Sequence, residues 1–450
     1  MIPFIDLATQ QARIRDKIEA GFSTVLDHGT YIMGPEIGAI ETRLAKAAGT
    51  KHCISCSSGT DALILALLAQ GLRPGQGVIV PSFTFAASAE VMPVLGAIPV
   101  FAEVDAVTFN LDPAGLPAAM AAAGEAGVEV VGIIGVGLFG QPADYSAIRA
   151  FAASEGLWVI DDAAQSFGAS HNNIAVGQLA DITCTSFFPA KPLGCYGDGG
   201  AVFVDDDDKA AIMRSCRVHG MGKTRYENIR IGMTARLDSV QAAVLDAKMD
   251  IFDDELTLRQ QAADRYAALL DGIVEAPRLG KGATSSWAQY TVKLPAGTDR
   301  DAVMAVLRDK GVPSAVYYPV PMHRQPPYRA FPASSCGLEV TKDLCERVLA
   351  LPMHPYLEPA QQQQIADAMR AALSAVPPEI SRRPHSLLAR RGTLFYAVAT
   401  RDALAPCRRR ERGCSSGVEH NLAKVGVEGS NPFTRSSLSG QRPADRNQQT

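Results

Sequence analysis

The sequence predicts an α/β protein with a mostly parallel central sheet in a large domain and a smaller C-terminal α/β domain. Three observations predict this fold. The chain has 450 residues, more than one compact domain usually holds. Apolar, β-branched runs alternate with helical patterns through its first half, which is typical of a parallel sheet covered by helices on both faces. After Arg236 this alternation gives way to a long helical stretch.

The strand runs of the large domain are six, at 77–80, 98–104, 128–138, 157–160, 182–187 and 201–204. Between them, helical patterns occur at 62–70, 87–95 and 145–154. The stretch 237–270 is predicted to be a helical connector. The smaller unit contains a run at 287–294, a helix at 301–310, a strand at 313–318 and a helix at 359–375. We therefore expect a large domain at 1–245, with an N-terminal arm, and a small domain at 246–376.

The composition excludes several classes of protein. Apolar residues make up 47% and charged residues 20% of the chain, so wholesale disorder and a fibrous repeat are excluded. The apolar run at 127–140 is interrupted by Glu129 and by glycines, and it is too short to cross a bilayer. The N-terminus lacks the basic start and apolar stretch of a secretory signal. We expect a cytoplasmic protein with no membrane association.

The nine cysteines are an odd number scattered through a long chain, which favours reduced thiols. Cys53 and Cys56 form a lone C-x-x-C. This pattern is compatible with a redox pair or half a zinc site, but no second pair or histidine cluster stands at zinc spacing. We favour a buried strand end and predict no metal site.

The last part of the chain differs in charge from the rest. Residues 377–450 contain 13 Lys and Arg against 6 Asp and Glu, a net charge of +7 within a chain whose net charge is -4. One interpretation is a basic arm that binds nucleic acid through phosphate contacts. We favour a disordered tail without a selected role, and expect no nucleic-acid partner. Residues 413–437 resemble the conceptual translation of a transfer-RNA gene, so the tail can also be a translation artefact.

Three segments of the large domain carry residues suited to chemistry. Ser58-Gly59-Thr60-Asp61 precedes an apolar helix and has capping-box spacing, and a helix start of this kind can bind a phosphate. An ordinary helix cap is the alternative. Asp161 and Asp162 end a predicted strand, where one of the two carboxylates should reach the edge at which ligands bind. A surface turn is the alternative reading for these acids.

The third segment contains Lys191, which follows the predicted strand at 182–187. It stands among Phe, Pro, Leu and Gly rather than on a polar face. Partial burial would lower the pKa of its amine and make the free amine available for a Schiff base. A solvated loop lysine is the alternative. A phosphate-binding helix start, then an acid, then a lysine is an order typical of enzymes that use pyridoxal 5′-phosphate.

The motifs SSGTDAL, VPSFTFAASAE, VIDDAAQSFGA, TSFFPAKPLGCYGDGGAVF and RLDSVQAA together resemble the sugar-nucleotide aminotransferases of the DegT/DnrJ/StrS family. The likeness covers about residues 1–356 and extends to the branch that aminates UDP-2-acetamido-2-deoxy-3-oxo-glucuronate. It implies a fold-type-I pyridoxal phosphate-dependent transferase. It also implies a homodimer in which residues of both subunits complete each site.

The resemblance also implies roles for individual residues. Lys191 would hold the cofactor covalently and shuttle the proton during transfer. Asp162 would pair with the ring nitrogen of the cofactor and keep it protonated. The remaining cofactor contacts would be Gln165 at the ring hydroxyl, Phe85 stacked on the ring, and Gly59, Thr60 and Ser186 at the phosphate.

One position departs from the family pattern. The family commonly has Asn where Thr234 stands, and that Asn reaches the phosphate of the cofactor in the partner subunit. Threonine keeps a donor on a shorter side chain, so Thr234 remains a candidate contact. Arg236, Tyr317 and Tyr318 lie where relatives meet the sugar and its carboxylate, and a guanidinium can bind two carboxylate oxygens at once. Packing at a dimer interface is the alternative for these three residues.

The resemblance implies a transamination in two half-reactions. Glutamate would give its amine to the cofactor and leave as 2-oxoglutarate, and the pyridoxamine phosphate form would then aminate a nucleotide-linked 3-keto sugar. The product would be an amino sugar for a surface polysaccharide such as lipopolysaccharide O-antigen. Two alternatives stay open. Some relatives are dehydratases with His in place of the lysine, which Lys191 argues against, and a binding or regulatory protein could keep the fold without chemistry.

Overall fold

The computed structural model describes residues 2–224, 226–335 and 337–377. These residues belong to one compact unit. The predicted basic tail lies outside the described residues, apart from Pro377. None of the helices in the described ranges is long and apolar enough to cross a membrane.

The described residues form twelve α-helices and eleven strands. The helices are α1 (Leu7–His28), α2 (Pro35–Ala48), α3 (Gly59–Ala69), α4 (Ala86–Val94), α5 (Leu116–Glu125), α6 (Tyr145–Glu155), α7 (Asp207–Cys216), α8 (Ser239–Met249), α9 (Phe252–Leu270), α10 (Arg300–Asp309), α11 (Glu339–Arg347) and α12 (Pro359–Ala375). The strands are β1 (His52–Cys56), β2 (Gly77–Pro81), β3 (Ile98–Ala102), β4 (Val130–Val136), β5 (Trp158–Asp162), β6 (Ser170–His171), β7 (Ile174–Ala175), β8 (Ile182–Ser186), β9 (Gly200–Val204), β10 (Tyr290–Lys293) and β11 (Val348–Leu351).

Seven of the strands form the central sheet in the order β1-β9-β8-β5-β4-β2-β3. The four pairings from β8 to β3 are parallel, whereas β9 pairs antiparallel with both β8 and β1. Strands β2, β8 and β9 are almost completely buried, because helices cover both faces of the sheet. The predicted α/β fold with a mostly parallel sheet is therefore confirmed.

All six predicted strands of the large domain are present, with ends that shift by one to two residues. The sequence reading did not place β1 in the sheet, although it favoured a buried strand end for Cys53 and Cys56. Both cysteines lie in β1, and both are buried free thiols. Burial raises the pKa of the Cys53 thiol well above its ordinary value, so this pair is suited to packing rather than to redox chemistry.

Two predicted elements differ from the structure. The single helical stretch 237–270 is two helices, α8 and α9, separated at Asp250 and Ile251. The acidic residues in the first turn of α9 favour a new helix start at this position. The Asp250 carboxylate, which lies between the two helices, accepts hydrogen bonds from Lys17 and Arg43.

The predicted strand 313–318 is not a strand either. Only Ala315 forms a bridge, to Ala350, through a reciprocal pair of backbone hydrogen bonds of 3.1 and 2.8 Å. The prolines at 313, 319 and 321 cannot donate a backbone hydrogen bond, so the ladder does not extend.

The C-terminal part of the described chain has a sheet and a core of its own. Strands β10 and β11 pair antiparallel, and their apolar side chains pack with those of α9, α10 and α12. Ile2, at the other end of the chain, joins the same cluster. The small domain at 246–376 and its boundary stay predictions, since the described residues belong to one compact unit.

Lys248 on α8 allows a prediction about stability. Its side chain is buried, and its ammonium lies 4.6 Å from the centre of the Tyr196 ring with no hydrogen-bond partner among the described residues. Burial lowers the pKa of Lys248 to about 8, although the negative charge of Glu255 acts to raise it. Between pH 8 and the ordinary lysine value the unfolded chain binds more protons, so this group makes folding more favourable as the pH rises.

We therefore expect Lys248→Met to increase the free energy of unfolding at pH 7 by about 1 to 3 kcal/mol. Urea unfolding of the two proteins at pH 7 and pH 10 measures this. The gain should shrink at pH 10, where the unaltered lysine is largely neutral in the folded protein. A loss of stability at pH 7 would instead mean that the contact with Tyr196 outweighs the cost of burying the charge.

Candidate active site

The candidate site lies where two neighbouring parallel strands end. Strand β5 ends at Asp162 and β8 ends at Ser186, and the two strands pair directly through Asp162 and Cys184. The loop after β8 carries Lys191. The carboxyl edge of a parallel sheet is the usual place for a ligand in this architecture.

Asp162 is a buried carboxylate that accepts hydrogen bonds from two donors. Its Oδ2 accepts from Ser88 Oγ at 2.7 Å, and its Oδ1 accepts from the backbone N–H of Ala164 at 3.2 Å. Burial raises the pKa of Asp162 above its ordinary value, while the two hydrogen bonds and the charge of Lys191 act in the opposite direction. The side chain is thus held in place and responsive to a cation at the site.

Asp161 faces the other side of the sheet, as the alternation of a strand requires. Its Oδ1 accepts a hydrogen bond from the Tyr145 hydroxyl, and its Oδ2 has no partner among the described residues. Burial raises the pKa of Asp161 well above the ordinary value, which favours the neutral acid. Of the two carboxylates, only Asp162 lies on the side of Lys191.

Lys191 is partly buried in a tight turn, in which its backbone N–H donates to the carbonyl oxygen of Phe188 at 2.9 Å. Within the described ranges its amine makes neither a hydrogen bond nor an ion pair. Burial lowers the pKa of Lys191, and the Asp162 carboxylate opposes this effect. A lysine of this kind has a larger fraction of free amine than a solvated one, as a nucleophile requires.

Gly59 begins α3 beside Ser186. A Cβ atom at Gly59 would lie 2.7 Å from the Ser186 Cβ, so a side chain at this position would displace Ser186. Ser58 caps the helix by accepting a hydrogen bond from the Asp61 N–H at 3.0 Å. Gly59, Thr60 and Ser186 are thus brought together at a helix N-terminus, an arrangement suited to a phosphate.

Gln165 and the two tyrosines from the C-terminal part of the chain are also close together. Gln165 Nε2 donates to the Tyr318 hydroxyl at 3.2 Å. The Tyr318 ring lies 6.1 Å from the Phe85 ring and 5.9 Å from the Tyr317 ring, centre to centre. Phe85 is 56% exposed, which leaves a large part of its ring open to another planar group. Burial raises the pKa of both tyrosines, so their hydroxyls stay protonated as donors.

Thr234 and Arg236 lie in a different loop, between α7 and α8. The Thr234 Oγ1 is 2.7 Å from the His219 Nε2, and Thr234 is exposed. The Arg236 Nε is buried without a hydrogen-bond partner among the described residues. Among the described residues of the single chain, neither Thr234 nor Arg236 forms a hydrogen bond or an ion pair with Lys191, so their predicted roles stay predictions.

The sequence reading missed three contributors to this site. Ser88 and Thr84 form a buried hydroxyl pair next to Asp162, and the backbone N–H of Phe139 donates to Gln165 Oε1 at 2.8 Å. The motif that contains Thr84 and Ser88 contributes to the family resemblance, which implies a role for Phe85 but none for these two residues. No local sequence signal shows that Ser88, 74 residues before Asp162, reaches its carboxylate.

These residues fit pyridoxal phosphate on the chemistry of the donor set. Its aldehyde calls for a free amine, its ring nitrogen for a buried carboxylate, and its phosphate for a helix N-terminus that accepts no side chain at its first position. Lys191, Asp162 and Gly59 meet these three requirements.

Comparison with known proteins identifies the family of the chain. The model of the DegT/DnrJ/EryC1/StrS aminotransferase family matches residues 12–370. The UDP-2-acetamido-2-deoxy-3-oxo-D-glucuronate aminotransferase of Pseudomonas aeruginosa is 47% identical over 370 residues, which cover 82% of this chain and 99% of that protein.

Solved structures show the same relationship. A DegT DnrJ EryC1 StrS aminotransferase from Brucella abortus is 45% identical, covers 82% of this chain and 99% of its own, and has a TM-score of 0.80. A Bacillus subtilis protein with the bound cofactor PMP is 27% identical, covers 82% of this chain and 83% of its own, and has a TM-score of 0.73. The chain therefore belongs to the DegT/DnrJ/EryC1/StrS aminotransferase family and is an enzyme dependent on pyridoxal phosphate.

Proposed function

We propose that the enzyme transfers the amino group of glutamate to carbon 3 of a nucleotide-linked 3-keto sugar, UDP-2-acetamido-2-deoxy-3-oxo-glucuronate. The class of reaction is supported by the Lys191 amine, which has a lowered pKa beside the buried Asp162 carboxylate. The sugar is supported by the relative from Pseudomonas aeruginosa, which carries this substrate in its name and matches the chain over 99% of its own length. The product is an amino sugar for a surface polysaccharide.

The protein would hold the cofactor at four points in this proposal. Gly59, Thr60 and Ser186 bind the phosphate at the start of α3, and Phe85 covers one face of the ring. Asp162 holds a proton at the ring nitrogen, and Gln165 contacts the ring hydroxyl. When bound, pyridoxal phosphate supplies an electron-accepting ring and a carbon that carries the amino group between the two substrates.

Lys191 performs the proton transfers. In the first half-reaction its neutral amine would move the proton from the α-carbon of glutamate to the cofactor carbon that receives the amino group, and in the second it would move a proton from that carbon to carbon 3 of the sugar. Burial favours the neutral amine at the start of each cycle, and the negative charge of Asp162 limits how far the pKa falls. The same group can therefore act as base and acid near neutral pH.

Arg236, Tyr317 and Tyr318 bind the sugar. Two features support this role: the Arg236 Nε is buried without a partner among the described residues, and the Tyr318 hydroxyl is held by Gln165. A carboxylate on the sugar would give the guanidinium the hydrogen bonds that its Nε lacks.

This proposal predicts that Arg236 distinguishes an acidic sugar from a neutral one. We expect Arg236→Gln to lower kcat/KM for UDP-2-acetamido-2-deoxy-3-oxo-glucuronate by about a hundredfold, because a charged carboxylate loses its partner. The loss for the same 3-keto sugar without the carboxylate should be only a few fold. Release of 2-oxoglutarate from glutamate measures both rates.

Two results would contradict parts of this proposal. Equal losses of kcat/KM on the two sugars would show that Arg236 does not bind the carboxylate. An unaltered enzyme that releases no more than one 2-oxoglutarate per subunit with either sugar would rule out both sugars as substrates.

The proposed assembly is a homodimer with shared sites. Phe188 is 51% exposed in the turn that carries Lys191, and Ile229 and Ile231 are 55% and 88% exposed in the loop that carries Thr234. Exposed apolar side chains of this size support a surface that another protein covers. In such a dimer Thr234 reaches the phosphate of the partner subunit's cofactor. Sedimentation velocity of the purified protein tests the dimer.

A further inference from the structure

Two buried hydroxyl groups form a chain that ends on Asp162. Ser88 Oγ lies 2.7 Å from Asp162 Oδ2, and Thr84 Oγ1 lies 2.9 Å from Ser88 Oγ. Ser88 is 1% exposed and Thr84 is 2% exposed, so water does not compete for these contacts. The proposed function assigns no role to either residue.

The direction of the chain follows from the chemistry of its members. An ionised carboxylate can only accept hydrogen bonds, so Ser88 must donate its single proton to Asp162. The Thr84 hydroxyl must then donate to Ser88 Oγ. Because each donor in such a chain polarises the next, Thr84 strengthens the bond that Ser88 makes.

The surroundings of Ser88 show that its hydroxyl is not needed for packing. Ser88 lies in the first turn of α4 between Ala87 and Ala89, which are buried in an apolar cluster. A hydroxyl in such a place costs free energy unless it is hydrogen-bonded, and alanine is the better helix former. The serine is therefore accounted for by its bond to Asp162 rather than by the helix.

The carboxylate has few other donors. Asp162 forms no ion pair among the described residues, and its second hydrogen bond, from the Ala164 N–H, is longer at 3.2 Å. The hydrogen bond from Ser88 is thus the shorter of the two that Asp162 accepts, and it fixes the position of the Oδ2 atom. Phe85, the predicted contact of the cofactor ring, directly precedes α4. The start of this helix therefore carries both the predicted ring contact and the serine that binds Asp162.

We propose that Ser88, with Thr84 behind it, is a positioning residue that keeps Asp162 ionised and directed at the ring nitrogen of the cofactor. This inference rests on the proposed role of Asp162. Without the donor, the carboxylate becomes more basic and takes the shared proton from the ring nitrogen. The ring then withdraws electrons less strongly, and proton removal by Lys191 slows.

Three variants test the proposal. Ser88→Ala removes the direct donor, Thr84→Val removes the second donor while keeping the shape of the side chain, and Thr84→Ser keeps the hydroxyl while removing a methyl group. The primary measurement is the ¹⁵N NMR signal of bound pyridoxal phosphate labelled at the ring nitrogen, which reports protonation without turnover. The second is kcat and KM for glutamate.

We expect the ring-nitrogen signal to move towards the deprotonated position in Ser88→Ala and by a smaller amount in Thr84→Val. Thr84→Ser should return it towards that of the unaltered protein. The kcat value should fall about tenfold in Ser88→Ala, the effect of a lost hydrogen bond to a charged group, with KM for glutamate little changed.

An unshifted signal in Ser88→Ala and Thr84→Val would overturn the proposal, as would equal shifts in Thr84→Val and Thr84→Ser, which would indicate a steric effect. If Ser88→Ala does not fold, the two Thr84 variants decide. Failure of the proposed role of Asp162 is separate, because in that case the unaltered protein would show no protonated ring nitrogen, and failure of the proposed sugar would leave this signal unchanged.

Discussion

Lys191→Ala is expected to abolish transamination and the covalent attachment of the cofactor. The amine of Lys191 is the group with a lowered pKa beside Asp162, and alanine cannot form a bond to an aldehyde or carry a proton. We expect kcat to fall by about a thousandfold or more, a loss that combines general acid–base and covalent catalysis. Borohydride reduction followed by peptide mass spectrometry measures the attachment, and formation of 2-oxoglutarate measures turnover.

Lys310→Ala is the matched control, because Lys310 is an exposed lysine at the end of α10. It should keep both the labelled peptide and the turnover. A labelled peptide at another lysine in the unaltered protein would contradict the assignment. A Lys191→Ala protein that turns over at the unaltered rate would contradict it as well.

The strands of the large domain could be predicted because each is a short apolar run between helical patterns. The outer strand β1 was less clear, since its five residues include two cysteines, a serine and a histidine. The break between α8 and α9 was missed for a different reason. Periodicity alone continues through Asp250 and Ile251, whereas in the structure the Asp250 carboxylate binds Lys17 and Arg43, more than 200 residues away along the chain.

The residues of the site also divide into those that local sequence indicates and those that depend on contacts made by the fold. Lys191 and the pair Asp161 and Asp162 could be singled out because a lysine among apolar residues and acids at a strand end are suited to chemistry, but the choice of Asp162 came from the family resemblance. Ser88, Thr84 and the backbone of Phe139 have no such local signal, since their importance comes from which groups the fold brings to them. Thr234 and Arg236 belong to a loop whose proposed function requires a second subunit, so neither a single sequence nor a single chain places them.

Asp162→Asn is expected to have the second largest effect. An amide keeps the shape of the side chain and its oxygen can still accept the hydrogen bond from Ser88, but it carries no negative charge and its NH2 group cannot accept from the Ala164 N–H. The ring nitrogen then loses the partner that holds its proton. We expect kcat to fall by about a hundredfold or more, the loss typical of removing a preorganised electrostatic contact, together with weaker binding of the cofactor. Steady-state kinetics and equilibrium dialysis of the cofactor measure the two effects.

Asp161→Asn is the matched control, since it makes the same substitution one residue away on the opposite face of β5. Burial favours the neutral form of Asp161, so the amide replaces a group that carries little charge, and its oxygen can still accept from Tyr145. We expect kcat within a few fold of the unaltered value. If the two variants lose activity equally, the effect comes from disturbing the end of β5. If only Asp162→Asn loses activity, the reaction requires the negative charge of the Asp162 carboxylate.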